Sequence, residues 1–87
     1  MENIDIYKRR LFYKGTNRGW KETDLLLGGF LNKYIHSFEK AELLMLDLIL
    51  DEPDSDIFNW MTKKIEVPAI HNNHVMYLLQ NFKLHNN

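Results

Sequence analysis

Leu25-Leu26-Leu27-Gly28-Gly29-Phe30-Leu31-Asn32-Lys33-Tyr34 is the stretch that decides the fold. Within it Leu27, Phe30, Leu31 and Tyr34 recur at spacings of three, four and seven residues, the stripe of a helix with one face on a core. Alternation at period two, the mark of a half-buried strand, is found over no long stretch of the chain. The paired glycines are the weak point. Each costs roughly 1 kcal/mol against alanine inside a helix, which predicts a kink there or a close crossing that uses the missing side chains.

Working outward, Asn3 to Tyr13 reads as a helix that buries Ile4, Tyr7 and Leu11 and leaves Lys8, Arg9 and Arg10 in solvent, with Gly15 placed to end it. Thr16 or Asn17 is then expected to cap the helix of the central stripe. On the other side, Ser37 can cap a third helix whose Glu39 suits the positive end of the dipole. Its Phe38, Ala41, Leu44, Met45, Leu48 and Ile49 cover more than one face, which makes it the central helix. Pro53 fits the first turn of a fourth helix, where a missing N–H is harmless; Ile57, Trp60 and Met61 give that helix an apolar side, and Lys63 and Lys64 suit its end. Ile65 to Ile70, with Pro68, reads as a connection to a last helix marked by Val75, Leu78, Leu79 and Phe82. The expected fold class is all-α, a compact bundle of about five short helices, formed as a single domain over residues 1–87.

Composition narrows the function. A chain of 87 residues that is 45% hydrophobic and 13% aromatic can bury enough apolar surface to fold, but is small for a deep cleft on a separate scaffold. Eleven Lys and Arg against twelve Asp and Glu give no general field for nucleic acid or anionic lipid. The chain has no cysteine, which excludes disulfides and thiolate chemistry and is compatible with a reducing compartment. Met1-Glu2-Asn3-Ile4-Asp5 has neither the basic and then apolar start of a secretory signal nor the Arg-rich character of a transit peptide. The richest apolar run, Leu43 to Leu50, is broken by Asp47 and falls short of the ~20 residues that span a bilayer.

The usual chemistries find little support. Of His36, His71, His74 and His85, only His71 and His74 have a spacing that could chelate a metal on one helical face, and without a third ligand they read as solvated side chains. Asp51, Glu52, Asp54 and Asp56 are interrupted by Pro53 and lack the glycine and distal glutamate of a calcium loop, so they read as helix-initiating carboxylates. Phosphate-cradling loops, nucleophile elbows and dinucleotide fingerprints are missing. Lys8-Arg9-Arg10, with Lys14 and Arg18, is the best basic patch and reads as a solvated face.

The segment that serves stability least is Arg18-Gly19-Trp20-Lys21-Glu22-Thr23-Asp24. Arg18 and Lys21 put positive charge near the positive end of a helix dipole, and Gly19 costs backbone entropy in the first turn. The order of Arg18 and Glu22 is the less favourable one for a four-residue ion pair. One reading is structural: a weak exposed pair, a turn glycine and a core tryptophan. The other is a docking surface, in which Gly19 admits another backbone while Arg18 and Glu22 offer a fork of donors and a carboxylate.

Here the sequence resembles the small succinate dehydrogenase assembly factors that promote covalent attachment of FAD to the flavoprotein subunit. Arg18-Gly19-Trp20-Lys21-Glu22 is similar to the family's Arg-Gly-x-x-Glu signature, continuing through Asp24-Leu25-Leu26-Leu27-Gly28 and Phe30. Further on, Phe38-Glu39 and Leu43-Leu44 lead to Asp51-Glu52-Pro53-Asp54 and Ile57-Phe58-Asn59-Trp60-Met61, which look like its second signature, an acidic-proline turn before an aromatic-x-tryptophan helix. The resemblance covers Arg9 to Lys64.

What it implies is a five-helix assembly factor, not an enzyme, that binds the flavoprotein subunit of succinate dehydrogenase, with that of fumarate reductase as a further candidate. The flavin is joined to a histidine of that partner, so no cofactor or metal need be held tightly here. By analogy Arg18, Gly19 and Glu22 form the contact nearest the partner's flavin region, supported by Trp20 and Asp24. A monomer is expected, with no nucleic-acid partner and no membrane insertion. Organellar relatives work in the matrix; for this chain, with no transit-peptide character at its start, a cytoplasmic location is expected. The alternative is an antitoxin-like or other protein-binding module without a flavinylation role.

Overall fold

The structure, a computed structural model, describes residues 3–84. Five α-helices follow in order, α1 (Ile4–Thr16), α2 (Lys21–Tyr34), α3 (Lys40–Leu50), α4 (Asp54–Met61) and α5 (His74–Asn81), with one-turn 3-10 helices at Ile35–Ser37 and Ala69–His71. Among the described residues there is no strand, and the all-α bundle expected from periodicity is what forms. Helix α1 packs on α2 and α3, α5 packs on α3 and α4, and α2 reaches α4. Leu11, Leu27, Phe30, Leu31, Leu43, Leu46, Ile49, Ile57, Val75 and Leu79 are completely buried at the centre.

Local chemistry sets the helix ends. Asn3 accepts the Asp5 N–H to start α1, and Asn73 accepts the Met76 N–H to start α5, side chains taking up amides that lack an intrahelical partner. Helix α3 begins with a reciprocal pair, Glu39 and Glu42 each accepting the other's backbone N–H. Ser37 does not cap it; its hydroxyl donates to the Tyr34 carbonyl at 2.9 Å instead. Pro53 stands just ahead of α4 as its cap residue, and Lys63, at φ 61°, ends the turn that follows.

Gly15 departs most from expectation. It does not terminate α1 but lies buried inside it, where an added Cβ would sit 2.6 Å from Leu31 Cδ1. Helix α1 crosses α2 at this point, and the missing side chain is the space that Leu31 fills. Thr16 and Asn17, expected to cap α2, serve α1: the Thr16 hydroxyl donates to the Phe12 carbonyl at 2.7 Å and the Asn17 amide to the Tyr13 carbonyl at 2.9 Å. Helix α2 starts later, after Trp20, and runs unbroken through Gly28 and Gly29. The close approach at Gly29 comes from the segment beyond α5, where Phe82 Cζ would lie 3.0 Å from an added Cβ.

Two predicted faces are corrected. Ile4 is 45% exposed, so α1 anchors on Tyr7 and Leu11. In α3 the buried positions are Leu43, Leu46, Ile49 and Leu50, while Ala41, Leu44 and Leu48 face outward.

Candidate functional site

The two sequence signatures meet in one structure. The Arg18 guanidinium donates from Nε to Asp54 Oδ1, from Nη1 to the carbonyls of Leu50 at 2.9 Å and Lys14 at 3.3 Å, and from Nη2 to the Glu52 carbonyl at 2.6 Å. Those carbonyls belong to the C-terminal ends of α1 and α3 and the turn after α3, where a cation complements the helix dipole. The second oxygen of Asp54 accepts the N–H groups of Gly19 and Trp20 at 3.0 and 3.1 Å. Asp54, in the first turn of α4, thus also serves the start of α2, the favourable end for an anion. Asp24 closes the ring by accepting the Arg18 N–H at 2.9 Å.

The outward fork read for Arg18 is corrected by this geometry. Its side chain is 11% exposed and that of Asp54 13%, and the guanidinium points into the bundle, with a carbonyl or carboxylate on each of its three nitrogens. Arg18, Asp24 and Asp54 hold the corner from within. Gly19, Trp20, Lys21 and Glu22 form its outer surface and are exposed. Trp20, 44% exposed, leans on Phe58 of α4 with ring centroids 6.2 Å apart, and Lys64 stands over the far part of that shelf, 5.6 Å from the Phe58 centroid. Among the described residues the Glu22 carboxylate has no hydrogen-bond partner.

Gly19 differs from Gly15 in what it faces. An added Cβ would be 3.6 Å from Asp54 Oδ2, ordinary contact, and its φ is not positive. Among the described residues nothing requires a glycine there. Asp54 and Phe58 are the members of the corner that sequence reasoning missed; the acidic-proline signature held both, but only the folded chain brings them against Arg18 and Trp20.

A second polar cluster joins α1 to α3. Lys14 Nζ donates to Asp47 Oδ1 at 2.8 Å and also reaches Asp51, while the Tyr7 hydroxyl donates to Asp47 Oδ2 at 2.8 Å. Partial burial alone would raise the Asp47 pKa, but the hydrogen bonds from Lys14 and Tyr7 and the charges of Lys14 and Arg10 outweigh it and hold the carboxyl below its usual range. Burial likewise opposes the Lys14 ammonium, and its bonds to Asp47 and Asp51 prevail and raise its pKa.

The histidine pair is not a shared helical face. His71 belongs to the second 3-10 turn and His74 opens α5. Far from being solvated, His71 is 2% exposed, with Nε2 2.5 Å from Glu52 Oε2 and its ring tilted against Trp60 at 5.3 Å. His74 is exposed, 3.6 Å from Glu42, and His85 lies outside the described residues.

An all-α bundle with one internally clamped, externally bare corner is the class that the fold and the site define. The chain belongs to the family described as "Flavinator of succinate dehydrogenase", whose model matches residues 9–83; the match therefore runs past Lys64 through α5. The chain is 40% identical over 80 residues to the Dictyostelium discoideum protein named succinate dehydrogenase assembly factor 2, mitochondrial, an alignment covering 92% of this chain and 57% of that protein. Proteins of the same name from Scheffersomyces stipitis and Debaryomyces hansenii are 47% identical over 69 residues and 41% identical over 83 residues. Those alignments cover 79% and 91% of this chain, and 46% and 58% of the relatives. The chain spans about half the length of the curated relatives it matches. The cytoplasmic expectation is overturned by these names, each of which says mitochondrial. It rested on the character of Met1 to Asp5 alone, and the relatives are longer than the part aligned here.

Proposed function

We propose that this chain is an assembly factor that binds the flavoprotein subunit of succinate dehydrogenase and promotes covalent attachment of FAD to it. Family membership and the relatives' names support the reading. The observation that carries it is Gly19: a glycine that the fold does not need, with both its backbone neighbours fixed, on an exposed corner beside an unpaired carboxylate. Such a position lets a partner's backbone come within contact distance.

In this reading Gly19, Trp20 and Glu22 meet the partner, and Arg18 and Asp24 act by fixing them. Trp20 supplies a large, rigid contact at low entropic cost, and Glu22 accepts donors from the partner. The factor contributes position: it steadies the partner so that flavin and acceptor side chain stay aligned, which raises their effective concentration without a reacting group of its own. It acts as a monomer and a single domain, with FAD as the partner's cargo.

In-gel flavin fluorescence of the flavoprotein subunit, expressed with and without this chain, tests the proposal. A covalent fluorescent band that depends on the chain is expected; a band of equal strength without it overturns the function.

A further inference from the structure

Away from the Arg18 corner, α1 and the junction of α2 with the first 3-10 turn enclose an open groove of about 530 Å³, lined by Lys8, Arg9, Phe12, Tyr13, Asn32 and Ile35, together with Thr16 and His36. Its walls are mostly apolar. Phe12 is half-buried, Ile35 forms a buried floor, and Tyr13 stands 68% exposed at the edge. Every residue of the lining that carries formal charge is a cation, on a chain whose net charge is -1. Lys8 is held in place by donating to the His36 carbonyl at 2.8 Å, while Arg9 has no partner among the described residues. Asp5, one turn back along α1, forms no ion pair with either.

We infer that this groove binds an acidic peptide segment carrying one aromatic or aliphatic anchor. Phe12, Tyr13 and Ile35 take the anchor; Lys8 and Arg9 pair with carboxylates on its flanks, one already oriented and one free to adapt. The Asn32 carboxamide makes no hydrogen bond among the described residues, and it presents a donor and an acceptor together, the pair that an extended peptide backbone needs. An open trough with polar groups contributed by both α1 and α2 suits a chain segment better than an enclosed small molecule. Complementary charge then sets both the approach and the choice of partner.

This surface is independent of the Gly19 corner, and so is its test. Fluorescence anisotropy of the full chain is measured with a fluorescein-labelled peptide of Asp and Glu around a central Phe, followed by amide chemical-shift mapping. Saturable binding is expected, with shifts at Lys8, Arg9, Phe12, Asn32 and His36. Arg9→Glu, at an exposed and unpaired position, weakens it roughly tenfold by replacing an attraction with a repulsion; Gly19→Arg leaves it unchanged. A peptide with Ala in place of Phe binds more weakly, and a Lys-rich peptide does not bind. No binding, shifts confined to Arg18 through Glu22, or equal binding of the peptide without Phe overturns the inference.

Discussion

Arg18 and Asp54 stand 36 positions apart in the chain and meet in a nearly buried ion pair, through which the positive group reaches the ends of two helices and the negative group the starts of two others. The pair is therefore a junction among α1, α2, α3 and α4, in which the guanidinium donates four hydrogen bonds and the carboxylate accepts three.

Breaking that junction from one side leaves the other charge buried and unpaired. Asp54→Ala is expected to destabilise the protein by about 3 kcal/mol, read as a shift of the urea midpoint at constant m-value. Arg18→Lys keeps the charge but cannot serve Asp54 and three carbonyls from one planar fork, so it also destabilises, by less. If Asp54→Ala unfolds at the wild-type midpoint, the clamp contributes nothing.

On the proposed function, Gly15 serves stability and Gly19 serves docking. At Gly15 the helix-propensity gain of about 1 kcal/mol from alanine is opposed by overpacking against fully buried Leu31, at about 1–3 kcal/mol, so Gly15→Ala is expected to destabilise by about 1 kcal/mol. Gly19→Ala should change stability by less than about 0.5 kcal/mol. Gly19→Arg and Glu22→Ala should keep wild-type circular dichroism while the covalent flavin band of the co-expressed partner falls about tenfold, the loss of roughly 1.4 kcal/mol of contact. Retention of the full band by both variants removes the corner from the interface.

The Tyr7–Asp47–Lys14 cluster gives a defined pH dependence. Because the folded Asp47 pKa lies below its unfolded value, its contribution is fully present above the unfolded value and is lost as pH falls through the folded one. Lys14 is raised, so its contribution is present below its ordinary value and lost as pH rises through the folded value. Asp47→Asn should cost about 1 kcal/mol at neutral pH, allowing for solvent screening of half-buried groups. Wild type and variant should converge in acid when urea midpoints are compared across pH; a constant difference would show that the carboxylate charge is irrelevant.

Thr23 is completely buried in the first turn of α2, and its hydroxyl has no partner among the described residues. Valine has nearly the same shape without the polar group, so Thr23→Val should stabilise by about 1 kcal/mol, seen as a higher thermal midpoint. A lower midpoint would mean that the hydroxyl is satisfied by water.

What could be read from sequence, and what could not, follows from how far each feature reaches. The stripe Leu27, Phe30, Leu31 is contained in one helix, and its periodicity suffices. In α3, Leu43, Leu44, Leu46, Leu48, Ile49 and Leu50 are so uniformly apolar that period carries little contrast, and only the packed fold separates the exposed Leu44 and Leu48 from the buried face. Gly15 shows a subtler failure: a glycine that ends a helix and one that admits a neighbour look alike until Leu31 is known to cross there. The charge rule was sound but applied to the wrong helix, since Arg18 precedes α2 in sequence yet complements α1 and α3 in space. His71 is buried by Glu52 and Trp60, residues that no local pattern ties to it.

The position of Asp54 also bears on when the Arg18 corner comes into being during synthesis. A growing chain that has emerged only through α2 carries every letter from Arg18 to Glu22, yet the carboxylate that fixes the Gly19 and Trp20 amides has still to be made. Contacts of such sequence separation form late, after the local helices. On the proposed function, the docking surface is thus withheld from immature chains, and a partner that reads its shape engages only molecules whose bundle has closed.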